Sequence, residues 1–135
     1  AAKLPLAGTT VRRLDIAPDG RIWYVNSAKG RLGVHDPKTG ATREWESPSG
    51  PTSHPYGINV LDGAIWYNES GVRPDTLVRF DSVTETFQSW PLASGGVYAG
   101  IHRNGHVTRD GRSLLMHQSA TNRIIRVTPR EPAVR

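Results

Sequence analysis

The run Asp19-Gly20-Arg21-Ile22-Trp23-Tyr24 returns 43 positions later as Asp62-Gly63-Ala64-Ile65-Trp66-Tyr67. Downstream, Arg31-Leu32-Gly33-Val34-His35-Asp36 returns as Leu77-Val78-Arg79-Phe80-Asp81, and Glu44-Trp45 as Ser89-Trp90 at an offset of 45. A third, weaker copy opens at Asp110-Gly111, runs through Leu114-Leu115-Met116 and reaches Asn122-Arg123-Ile124-Ile125-Arg126-Val127. A repeat of this period is one supersecondary unit that cannot bury its own faces. It must stack on its neighbours.

The unit reads as β-structure. Ile22-Trp23-Tyr24-Val25 and Ile65-Trp66-Tyr67 are β-branched and aromatic, and each follows an Asp-Gly pair suited to a tight hairpin turn. The middle copy predicts strands at about 56–61, 64–69, 76–81 and 85–91, and no 11-residue window carries a helical period. Four antiparallel strands per copy predict an all-β chain, a β-propeller of about three four-stranded antiparallel blades. The blades are expected over about 10–50, 51–94 and 95–130. Residues 1–8 match the close of a blade's outer strand, since Lys3-Leu4-Pro5-Leu6-Ala7-Gly8 parallels Ser89-Trp90-Pro91-Leu92-Ala93-Ser94. The third copy shows no fourth strand before Pro129 and Pro132. A ring needs roughly four to eight blades, so three are part of a larger one, completed by the remainder of the propeller or by a second copy. Trp23, Trp66 and Leu115 are expected at equivalent places, with both tryptophans filling blade–blade interfaces.

Composition narrows the functions. With no cysteine, the 135-residue chain has no disulfide, thiolate nucleophile or cysteine-based zinc site. Its apolar runs are only a few residues long, which argues against a membrane-spanning helix and a membrane partner. The formal charge is +5, but the arginines are spread with no run longer than a pair, so no nucleic-acid partner is expected. No P-loop, dinucleotide fingerprint or G-x-S-x-G occurs. The compartment is left open, cytoplasmic or periplasmic.

Pro55-Tyr56-Gly57-Ile58, Asp62-Gly63-Ala64-Ile65-Trp66-Tyr67-Asn68-Glu69 and Asn122-Arg123-Ile124-Ile125-Arg126-Val127 resemble the repeat of the virginiamycin B lyase family of streptogramin lyases. The similarity covers Val11 to about Val127, and gluconolactonase-like propellers share parts of the pattern. It implies a seven-bladed ring that opens the macrocycle of type B streptogramin antibiotics, an antibiotic-resistance activity. A base takes a carbon-bound proton, the C–O bond breaks without water, and Mg²⁺ stabilises the developing enolate. The base is a His in a P-H-G-I or P-H-A-I version of the repeat, with Glu residues holding the metal. Counting back from each Asp-Gly puts Arg13, Tyr56 and Asn104 at that position in the three copies. None of them readily removes a carbon-bound proton near neutral pH. The expected base is therefore absent from these blades. Alternatives to the lyase are a non-catalytic propeller binding a small anionic ligand or a protein partner, and a gluconolactonase-like hydrolase.

His54, Tyr56 and Glu69 are the candidate catalytic constellation, because the loop entering an inner strand and the loop leaving the second strand open on one face. Glu69 fits the Glu of the family's W-F-T-E segment and is the candidate metal ligand. The same residues admit a structural reading, with Tyr56 packing the channel wall and Glu69 pairing with Arg73. Arg103, Asn104, His106 and His117 are candidate contacts for a small-molecule ligand. His102 and His106 lie about 13 Å apart on a strand, too far for one zinc. Asn68-Glu69-Ser70 matches the glycosylation sequon, a short pattern with many accidental hits.

Overall fold

The computed structural model describes residues 1–92, 102–118 and 122–130, with side chains omitted at 102–105. Eleven strands form with no helix among the described residues: β1 (Val11–Ile16), β2 (Ile22–Asn26), β3 (Arg31–His35), β4 (Thr42–Glu46), β5 (Pro55–Leu61), β6 (Ala64–Glu69), β7 (Thr76–Asp81), β8 (Thr86–Pro91), β9 (His102–Val107), β10 (Leu114–Gln118) and β11 (Arg123–Val127). They make three antiparallel meanders, ordered β1-β2-β3-β4, β5-β6-β7-β8 and β9-β10-β11. The third sheet has three strands among the described residues, one fewer than a full blade. The middle copy's strands fall within a residue of their predicted bounds.

Turn chemistry explains the local folding. Asp62 (φ 52°) and Gly63 (φ 71°) both take the left-handed conformation that a two-residue hairpin between β5 and β6 demands. The matching turns in the other sheets are longer. Ala17 N–H reaches Arg21 O at 2.9 Å, and Thr108 N–H reaches Ser113 O at 2.9 Å.

The inner strands β1, β5 and β9 pack side by side, β5 lying between the other two. The sheets stack on one another as propeller blades. Strand β6 is buried on both faces, and its alternation divides it between two interfaces. Ile65 and Tyr67, with Val78 and Phe80, pack on Trp23, Val25, Leu32 and Val34 of the first sheet. Ala64 and Trp66, with Leu77, pack on Leu114 and Met116 of the third. Trp23 stacks on Trp45 and Trp66 on Trp90 with the same geometry: centroids 5.9 Å apart in both, planes at 18° and 19°. The repeat therefore extends to side-chain packing. Trp23, Trp66 and Leu115 pair with Asp15, Asn59 and His106 respectively, so the predicted equivalence holds. Leu115 is half-buried, on the face of the third sheet turned away from the second.

Candidate functional site

The three inner strands share a further feature. Each carries a register shift near its N-terminal end: between Val11 and Arg13, between Pro55 and Ile58, and opposite Met116 and Gln118 in β9. A bulge of this kind turns side chains out of the regular alternation and is common beside binding sites. Hydrogen bonds tie the bulged end to the loop leaving the second strand. The carbonyl of His54 accepts the Ser70 N–H at 3.0 Å and its hydroxyl at 2.8 Å. The first sheet repeats the tie, Ser27 N–H to Thr10 O at 2.9 Å. The two loops do open on one end, as the repeat pattern predicted.

Strand register corrects the alignment of the copies. Val11 pairs with Asn26 and Pro55 with Glu69, while Leu14 pairs with Tyr24 and Ile58 with Tyr67. Arg12 is therefore the counterpart of Tyr56, and Arg13 that of Gly57. In β9, His102 pairs with Gln118 and Gly105 with Met116, which makes Arg103 the counterpart of Tyr56 and Asn104 that of Gly57. Counting back from Asp-Gly falls one residue late in the first and third copies because their turns are longer than Asp62-Gly63.

The candidates separate. His54 is exposed, with φ 46°. Tyr56 is half-buried beneath two guanidinium groups, Arg12 at 5.3 Å and Arg13 at 5.9 Å from its ring centroid. Glu69 is fully buried, and both its oxygens are occupied. Oε1 accepts the Ser47 hydroxyl at 2.5 Å and the Ser49 N–H at 3.0 Å, and Oε2 accepts the Ser49 hydroxyl at 2.5 Å. Arg73 pairs with Asp75 at 3.0 Å instead of with Glu69. No group of three His, Asp or Glu side chains converges among the described residues. A magnesium ion on Glu69 does not fit these neighbours. Asn68 of the sequon is buried and accepts the Gly57 N–H at 2.8 Å, which leaves it closed to a glycosyl group.

Below the mouth, β1, β5 and β9 line a cleft of about 250 Å³ with Arg13, Leu14, Asp15, Gly57, Ile58, Asn59 and His106. Asp15, Asn59 and His106 are the register equivalents noted above, one from each sheet. Asp15 also clasps the second sheet, its Oδ2 accepting the Val60 N–H at 2.8 Å. The structure thus places His106 in the wall of this cleft. His117 lies on β10 outside that lining. The side chains of Arg103 and Asn104 lie outside the described residues. Arg12, Asp15 and Asn59 escaped the sequence reading, although aligning the copies by strand register instead of by the Asp-Gly turn reveals them.

These features define a propeller segment with a cleft of mixed polar and apolar lining along its inner strands. Its structural neighbours include streptogramin lyases. A catalytically inactive histidine-to-alanine variant of virginiamycin B lyase from Staphylococcus aureus, with quinupristin, is similar at TM-score 0.80 and 27% identity, over 93% of this chain and 40% of that one. The selenomethionine-substituted S. aureus enzyme gives TM-score 0.77 at 27% identity, with the same coverage of 93% and 40%. A streptogramin B lyase gives TM-score 0.79 at 22% identity, over 92% of this chain and 39% of that one, a likeness of fold. The chain thus spans about 40% of the length of the lyases it matches. No family model and no curated protein matches it.

Proposed function

We propose that this chain is the ligand-holding segment of a streptogramin-lyase-like propeller, and that its ligand is a cyclic depsipeptide lactone of the type B streptogramin kind. The supporting observation is the content of the three bulges. Where the resemblance puts the base His, register puts Arg12, Tyr56 and Arg103. Arginine and tyrosine hold and orient a carbonyl-rich ligand but do not take a proton from carbon near neutral pH. The cleft between Arg13, Asn59 and His106 offers polar groups for the same ligand. The elimination, and any magnesium serving it, are assigned to parts of the ring outside these three blades.

The test incubates the chain with quinupristin and follows it by chromatography coupled to mass spectrometry. Elimination gives a linear isomer of unchanged mass, whereas a gluconolactonase-like hydrolysis adds one water. Binding without a linear product is expected. A same-mass linear product would place a base within these blades, with His106 the first residue to replace. Failure to bind quinupristin would remove the ligand class.

A further inference from the structure

In a regular strand, successive side chains point to opposite faces. The bulge in β1 breaks that rule, and the neighbours Arg12 and Arg13 both come over the one ring of Tyr56, itself in the bulge of β5. Two like charges are thereby gathered within 6 Å of the centre of one aromatic ring. Both arginines are exposed, and among the described residues neither is within ion-pair distance of a carboxylate. The nearby Asp15 is engaged by backbone N–H groups, with Oδ1 accepting from Ile16 at 2.9 Å and Oδ2 from Val60 at 2.8 Å. The other bulged strand, β9, holds Arg103 at the register position of Tyr56, so the inner-strand bulges carry three arginines and no acid.

Guanidinium groups gathered at one ring repel each other, an anion bound beside them relieves that repulsion, and their planar donor forks match the spacing of carboxylate or phosphate oxygens. We infer that Arg12, Arg13 and Tyr56 form an oxyanion-binding site at the channel mouth, taking a carboxylate or phosphate carried by a small ligand. Tyr56 supplies the ring that both guanidinium groups approach, and the bulge brings two successive side chains to it. The site rests on the reading of this mouth as the ligand-facing end. It does not depend on the ligand being a lactone.

The experiment titrates the 135-residue chain with inorganic phosphate and, separately, with citrate, by calorimetry at constant ionic strength. Saturable binding of one anion per chain is expected, and the stronger of the two probes shows which oxyanion the site prefers. Arg12→Ala and Arg13→Ala should each weaken binding about tenfold, and the double variant should abolish saturation. Both positions are exposed, so far-ultraviolet dichroism should be unchanged. Arg12→Lys with Arg13→Lys keeps the charge and removes the forks, and should still bind more weakly than the native chain. Arg112→Ala, on the exposed turn between β9 and β10, should have no effect. Absence of saturable binding overturns the inference, as does equal weakening by Arg112→Ala. Anion binding with no quinupristin binding would keep this site while removing the lactone, and the converse would remove this site alone.

Discussion

Ser49 donates both its backbone N–H and its hydroxyl to Glu69, one to each carboxylate oxygen, at 3.0 and 2.5 Å. Ser47 adds its hydroxyl at 2.5 Å and lies 2.7 Å from the Tyr67 hydroxyl. These serines follow β4, and Glu69 ends β6. The carboxylate therefore fastens the connection between the first two blades to the wall of the second. Glu69→Ala would leave three donors without their acceptor. The expected cost is about 3 kcal/mol of unfolding free energy by urea denaturation, with Glu69→Gln costing less because its amide oxygen still accepts. An unchanged urea midpoint in Glu69→Ala would sink the assignment.

Much of the fold was legible in the sequence because blades repeat what packing requires. Trp23 and Trp66 recur because each must fill a blade interface, and the glycine of Asp-Gly recurs because Gly20, Gly63 and Gly111 all take the left-handed conformation. The site was less legible. Glu69 matched a repeat motif, but its environment is set by Ser47 and Ser49, twenty or more residues away. Arg12 was missed because turn length, which shifts the register by one residue, differs between copies. Local pattern specifies a strand. It does not specify which neighbouring loop a side chain meets.

Tyr24 and Gly33 show how tightly one such meeting is fixed. A Cβ on Gly33 would lie 2.1 Å from Tyr24 Cζ, and the Tyr24 hydroxyl donates to Glu44 Oε1 at 2.6 Å. The second blade has Val78 in the place of Gly33, and there the tyrosine, Tyr67, meets Ser47 instead. Gly33→Ala should destabilise the chain by about 2 kcal/mol or more through overpacking. Tyr24→Ala with Gly33→Ala should cost less than the two single changes summed, because the first removes the atoms with which the second collides. Strict additivity in a double-mutant cycle would contradict the contact.

Alkaline unfolding should report the buried phenols. Burial pushes Tyr67 above its ordinary range, and its Ser47 hydrogen bond only partly opposes this; burial, with Glu44 beside it, does the same to Tyr24. A folded-state pKa above the unfolded value of about 10 gives stability that is complete below that pH and is lost as pH rises further. Tyr67 and Tyr24 should each impose a loss of up to about 1.4 kcal/mol per pH unit in that range. Tyr67→Phe should flatten the decline in urea midpoints between pH 10 and 12, and a slope parallel to that of the native chain would refute the assignment.

The two end faces of the stack should govern association. Leu14 and Ile16, 55% and 60% exposed, lie on the face of the first sheet turned away from the second. Ile124, 80% exposed, lies with half-buried Leu115 on the opposite end. In the middle sheet the corresponding faces are covered on both sides, and Trp66, the counterpart of Leu115, is 6% exposed. Blades of this kind are stable when neighbours cover both faces. The isolated chain should therefore self-associate through the apolar ends, measurable by light scattering across a concentration series. Ile16→Lys combined with Ile124→Lys should move it to monomer, at a cost of no more than about 0.5 kcal/mol in stability because both positions are exposed. A native chain that stays monodisperse and monomeric throughout the series would show that the exposed ends do not drive association.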